Sequence, residues 1–326
     1  MSRARRRQFL FIAGALLAFP ITGGAQQNGV YRIGVILHGG PYLAAVDGLR
    51  NGLKELGLED GKHFLFHIRN TNGDASALTA VAKSLEDERV DVIFAVARSV
   101  SLAARRATKR VPIVFYSGTD PVAGGLVESF RKPGGRLTGV YGRSTDLTAK
   151  RFQFLKAMVP TLRRAVTFYN PGNPGAGYAL KLAHDAARQV TVDLVERPVT
   201  TVAELRAGVR ALRPGDADAF CYMADAMVIS QTEFIIDTAK KMRMATIFAD
   251  PASVAKGALA SYGESYYAIG QLSAKYVQQI LKGANPGNLP VEQVDRLHFA
   301  INLRTAEAIG LSIPQSVLLQ ADEIIK

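Results

Sequence analysis

The sequence contains no tryptophan and a single cysteine among its 326 residues. One cysteine cannot close an internal disulfide, and Cys221 lies inside the apolar run Ala219-Phe220-Cys221-Tyr222-Met223, where it reads as a small buried hydrophobe rather than a reactive thiol. Histidine is also scarce. His63 and His67 have the four-residue spacing of a helical zinc pair, but they sit in a strand-like run with no glutamate between them and read as surface side chains. There is no Gly-x-Ser-x-Gly elbow and no Gly-x-x-x-x-Gly-Lys-Ser/Thr loop. The glycine-rich stretch Asn170–Gly177 lacks both the phosphate-loop lysine and the dinucleotide fingerprint, so it reads as a strand-to-helix turn. No cluster of carboxylates stands out. These absences argue against hydrolase, nucleotide-dependent and metal-dependent chemistry, and no catalytic residue, metal or cofactor is expected.

What is present begins with charge. The formal net charge is +12, and Arg3, Arg5, Arg6 and Arg7 precede the apolar run Phe9–Phe19 and the small residues Gly23-Gly24-Ala25. A basic start, an apolar stretch too short to span a bilayer with ease, and small residues beyond it describe a signal peptide over residues 1–25. The order Arg6-Arg7-Gln8-Phe9-Leu10 is also that of a twin-arginine signal. No cysteine follows the apolar run, so a lipid anchor is not expected, and no later segment reads as a membrane span. A periplasmic location follows. Without those four arginines the charge is still +8, yet the basic residues are spread along the chain with no aromatic-interleaved run. Nucleic acid is therefore not an expected partner; anionic solutes or a membrane surface fit the excess better.

From residue 30, short β-branched runs alternate with amphipathic stretches, the pattern of a parallel sheet covered on both faces. Strands are predicted at Tyr31–Leu37, His63–Ile68, Val90–Val96, Pro112–Tyr116 and Leu137–Val140. The first helix places Ala45, Leu49, Leu53 and Leu56 on one face and stops at Gly57. The pattern restarts with Ala165–Tyr169, Val192–Val195, Ala219–Met223 and Ala245–Ala249. Leu259–Tyr262 and Leu297–Asn302 are further strands, Gly283–Pro290 a turn-rich linker, and a final helix ends the chain. The fold class is thus α/β, with two doubly wound, Rossmann-like lobes. Open parallel sheets gather ligands beyond the carboxyl ends of their strands, so two such lobes face to face would form a ligand cleft.

Several segments resemble the substrate-binding proteins of ABC transporters, of the tryptophan-binding type. They are Leu49-Arg50-Asn51-Gly52-Leu53-Lys54-Glu55-Leu56-Gly57, Asp120–Val127, Lys132–Val140, Tyr169–Pro174, Leu281–Pro286 with Leu289–Gln293, and the tail from Ile301 to Ile324. The resemblance implies a type I periplasmic-binding-protein fold, with a hinge of three crossovers. It implies lobes of 30–145 plus 255–285 and 146–254 plus 286–326, a permease and an ATPase as partners, and a monomer. It also implies a small carboxylate-bearing ligand, such as an amino acid or related organic acid. A sensory subunit for a receptor kinase, or an enzyme on the same scaffold, remains as an alternative. The chain departs from the family pattern at Ala97-Arg98-Ser99, where many relatives have a small residue followed by Thr-Pro, and at Asp250, often non-acidic in relatives.

Candidate ligand-binding residues follow from strand ends. Gly39 and Gly40 would allow close backbone approach; Ser99, Ser117 and Thr119 offer hydroxyls; Arg98 could clamp a carboxylate with two parallel hydrogen bonds. Asn170 opens the loop after the first strand of the second lobe. Asp225 and Asp250 could each receive an ammonium or cap a helix. Tyr42, Tyr222 and Tyr262 could stack on a planar ligand or simply pack.

Overall fold

The computed structural model describes residues 29–326, so the expected signal peptide lies outside the described residues. The chain begins with β1 (Tyr31–Leu37), α1 (Leu43–Glu55), β2 (Phe64–Asn70), α2 (Leu78–Asp87), β3 (Val92–Val96), α3 (Arg98–Ala107), β4 (Ile113–Ser117) and β5 (Leu137–Tyr141). It crosses into a second lobe with α4 (Thr148–Met158), β6 (Arg164–Tyr169), α5 (Ala176–Gln189), β7 (Asp193–Pro198), α6 (Val202–Ala211), β8 (Ala219–Cys221), α7 (Ala226–Ser230), α8 (Thr232–Lys241), β9 (Ala245–Phe248), α9 (Ala252–Ala255) and β10 (Ala260–Gly263). The remainder is α10 (Tyr266–Leu281), β11 (Glu292–Gln293), β12 (His298–Asn302), α11 (Leu303–Ala308), α12 (Gln315–Leu318) and β13 (Glu323–Ile325).

Two sheets result. The first runs β11-β5-β4-β3-β1-β2 and is parallel throughout. The second runs β13-β12-β10-β9-β8-β6-β7, with only the β10–β12 pair antiparallel. Helices on both faces explain why β3 and β4 read as unbroken apolar runs: every residue of both strands is buried. Each fully buried Ile, Val or Phe there contributes about 1.5–3 kcal/mol.

Two boundaries differ from those read in the sequence. The resemblance puts residues 255–263 in the first lobe, but β10 pairs with β9 and β12 in the second sheet, and the crossover lies at residues 264–265. The resemblance puts residues 286–293 in the second lobe, but β11 pairs with β5 and extends the first sheet. The tail, read as helical to its end, closes instead with β13 alongside β12.

The returning helix α10 packs against α1 at backbone contact. A Cβ at Gly270 would fall 1.9 Å from the Ala45 carbonyl oxygen, and one at Gly48 1.9 Å from that of Tyr267. Glycine is the only residue that fits at either position.

The three crossovers form the hinge, and Arg151 ties the first of them to the strand that leads into the second. This side chain is fully buried on α4; its Nη1 donates to Ser144 O in the first crossover (2.8 Å) and its Nε to Tyr262 O at the end of β10 (2.9 Å). Glu264, in the second crossover, accepts from the Arg143 backbone N–H in the first (2.7 Å).

Candidate functional site

The carboxyl ends of β1, β3 and β4 face those of β6 and β8 across a cavity of about 530 Å³, counted with its mouth. From the first lobe it is lined by Tyr42, Ala97, Arg98, Ser99, Tyr116, Thr119 and Tyr266; from the second by Asn173, Gly175, Tyr222 and Asp225; and from the hinge by Ser144 and Thr145.

Helix α3 supplies the charge. Its N-terminus has no side-chain cap and no acidic residue in its first turn, so the N–H groups there point at the cavity unneutralised. Ala97, just before it, holds φ at +111°, a region that costs a non-glycine residue about 1–3 kcal/mol. Arg98 opens the helix. Its Nη2 donates to Gly124 O at 3.3 Å, its Nε is buried with no partner, and among the described residues no carboxylate lies within 4.0 Å of its guanidinium. Ser99 stands beside it, with Oγ 3.4 Å from His38 Nε2, while His38 Nδ1 lies 2.9 Å from Thr71 Oγ1. Burial lowers the His38 pKa to about 4, with Asp74 opposing only weakly, so the imidazole is neutral at pH 7. A hydroxyl stands where a nucleophilic triad would have a carboxylate, so the chain from Ser99 to Thr71 lacks the partner that would stabilise an imidazolium.

Four buried tyrosines line the rest. Tyr42 and Tyr266 have ring centroids 4.6 Å apart, Tyr116 lies 5.9 Å from Tyr266, and Tyr222 faces them from the second lobe. Burial raises all four phenol pKa values, so they present neutral hydroxyls and flat apolar faces.

Other residues named from the sequence take different places. Asp225 lines the cavity, yet its carboxylate is used by the protein. Oδ1 accepts from the N–H groups of Met227 and Val228, and Oδ2 accepts from the N–H of Asn170 and from Asn173 Nδ2. It caps α7 and anchors the Asn170 loop, leaving no free lone pair aimed at an ammonium. Asp250 does not reach the cavity; it accepts from the N–H groups of Ala252 (2.8 Å) and Tyr266 (2.7 Å), joining the end of β9 to the start of α10. Burial raises its pKa to about 7. Ser117 is turned inward, donating to Thr119 O at 2.8 Å. Tyr262 packs on Phe154 and Phe299 away from the cavity. Asn170 lines a side pocket next to His38.

Gly39 packs on Asn70, and Gly40 (φ +60°) meets the second lobe: a Cβ there would fall 2.7 Å from Ile229 O. The lobes also touch where Gln231 Nε2 donates to Asn72 O. They are therefore closed on one another. Sequence reading missed Tyr116, Tyr266 and Asn173. Tyr116 lies one residue before the named Ser117, and Asn173 within the flagged glycine-rich loop, so strand-end position could have found both. Tyr266 becomes visible only once the second crossover is placed at 264–265.

Comparison with known proteins places this geometry. The family described as "ABC transporter substrate binding protein" matches residues 32–325. A tyrosine-binding protein of Clostridioides difficile is 26% identical over 349 aligned residues, covering 100% of this chain and 99% of the relative. A conserved domain protein from Vibrio cholerae O1 biovar El Tor is 30% identical with a TM-score of 0.81, covering 91% of this chain and 100% of that one. The ABC domain of a Streptococcus pneumoniae protein in complex with L-Trp superposes with a TM-score of 0.79 at 24% identity, with coverage of 91% and 100%. With two α/β lobes closing on a shared cavity and a family match from residue 32 to 325, the chain belongs to the ABC transporter substrate-binding proteins and has the type I periplasmic binding fold.

Proposed function

We propose that the protein binds a carboxylate-bearing aromatic metabolite, an aromatic amino acid above all, between its lobes and delivers it to a membrane permease driven by an ATPase. The observation that carries this reading is Arg98. A guanidinium with no carboxylate beside it among the described residues, and with a buried, unpartnered Nε, stands at an uncapped helix N-terminus inside the cleft, beside four tyrosine faces. A ligand carboxylate would satisfy the first and a planar ring the second. The named ligands of the relatives, tyrosine and L-Trp, combine those two groups. Asp225 is already saturated, so the carboxylate, rather than the ammonium, is the ligand group with a waiting partner.

Because the chain has no tryptophan, L-tryptophan would be the only indole in a titration. Refolded, ligand-stripped protein should shift the indole emission saturably at one site per chain. A flat response to L-tryptophan, together with no calorimetric signal from L-tyrosine, L-phenylalanine or aromatic carboxylic acids, would end this reading.

A further inference from the structure

We propose that His38 is a positioning residue whose tautomer makes the Ser99 hydroxyl a hydrogen-bond donor into the cleft, matched to an anionic ligand group. The inference deepens the reading above and rests on it for its binding arm only.

The argument follows one proton at a time. A neutral imidazole carries a single N–H, so one ring nitrogen of His38 donates and the other accepts. Thr71 has one hydroxyl proton and two acceptors in reach: Leu37 O at 3.4 Å and His38 Nδ1 at 2.9 Å. Leu37 O already accepts from the Thr71 backbone N–H at 3.0 Å. The nearer and otherwise unserved acceptor is Nδ1. With Thr71 donating there, the ring proton sits on Nε2 and points at Ser99 Oγ, 3.4 Å away. Ser99 then accepts from His38, and its own proton is free to turn toward the cavity, where Arg98 and the open first turn of α3 also present donors.

The opposite tautomer would draw the Ser99 proton back toward His38 and leave only a lone pair facing the cavity, among donors that an anion would have to satisfy. All three relay residues are held in place. His38 and Thr71 are buried behind the cleft wall, and Ser99 is fixed on the second residue of α3. The 3.4 Å link is also the one that an anion would tighten, because drawing on the Ser99 proton strengthens the bond that Ser99 accepts.

The test has a part that needs no ligand. Long-range 1H–15N correlation on the full-length mature protein should show His38 as the Nε2–H tautomer at neutral pH. A protonated Nδ1 would overturn the proposal. The second part titrates L-tyrosine. Ser99→Ala should weaken binding about tenfold, as loss of one hydrogen bond to a charged group predicts, and His38→Leu about threefold, because the hydroxyl remains but loses the bond that turns its proton toward the cavity. The double variant should bind no more weakly than Ser99→Ala alone, because His38 acts only through that hydroxyl. His38→Gln, which returns an amide N–H near the Nε2 position, should recover most of what His38→Leu loses. Losses that multiply in the double variant, or a glutamine that rescues nothing, would overturn it. If L-tyrosine fails to bind the unmodified protein, the ligand class falls while the tautomer measurement still decides the role of His38.

Discussion

Arg98 is held by little of its own protein, and that sets how it should respond to change. Its one hydrogen bond, to Gly124 O at 3.3 Å, contributes little to folding. Arg98→Ala should therefore leave the melting temperature nearly unmoved and weaken ligand binding by about one to two orders of magnitude, as loss of a bidentate charged pair predicts. Calorimetry against an aromatic amino acid measures both. Arg98→Lys should recover only part, because an ammonium cannot present two parallel donors. Asp250 behaves in the opposite sense. Its pKa rises from the ordinary 3.8 to about 7 on folding, so the folded state takes up a proton that the unfolded chain releases. Above pH 7 the buried charge is a cost. Between about pH 7 and 4 stability grows as pH falls, by an amount on the order of a few kcal/mol. Relative to Asp250→Asn, the unmodified protein should therefore gain in melting temperature from pH 8 to pH 5; parallel curves would contradict this. Asp225 and Asp250 also show what the sequence leaves open. An aspartate after a strand can meet a ligand or cap a helix, and only the positions of neighbouring N–H groups decide. In both cases the backbone takes the carboxylate.

Elements with long, two-sided burial were legible because their patterns follow from it. The apolar runs of β1, β3 and β4 and the helical spacing of α1 could be read directly, and the strand-end rule placed Tyr42, Arg98, Ser99, Thr119 and Tyr222 at the cavity. The two short edge strands β11 and β13 were not legible. β11 has two residues and β13 three, too few for any alternation to show; their identity comes from partners more than a hundred and about twenty residues away in the chain. Nor does sequence mark where a chain changes lobe, since β10 reads the same in either sheet; hence the misplaced boundary at residue 255. The α1–α10 contact is legible only in retrospect, through Gly48 and Gly270. Gly270→Ala should force the helices apart and cost about 1–3 kcal/mol, as for other overpacked cores, seen as a lower urea midpoint. An unchanged midpoint would mean the helices can separate freely.

For the molecule as a whole, the hinge and the facing surfaces set the response to ligand. Arg151 is a fully buried cation with carbonyls, a hydroxyl and the Tyr222 ring (5.8 Å) around it. Arg151→Ala would strand the carbonyls of Ser144 and Tyr262 and open a void, with an expected loss of about 3–5 kcal/mol. Gly40 tests closure separately. Its Cβ position is occupied by the backbone at Ile229 and Ser230 of the opposite lobe, so Gly40→Val should keep both lobes folded but hold them apart. Small-angle scattering should then show no compaction with ligand, and affinity should drop; normal compaction would place the closing contact elsewhere. The double return of the chain has a further consequence, for synthesis. The first lobe lacks α10 and β11, and the second lacks β12 and β13, until the last sixty or so residues have been made. Both halves therefore stay unfinished until synthesis is nearly over, the first to residue 293 and the second to residue 325. A chain stopped at residue 264 would leave the glycine face of α1 bare and the β10 edge unpaired, and should be degraded rather than accumulate as a free-standing half.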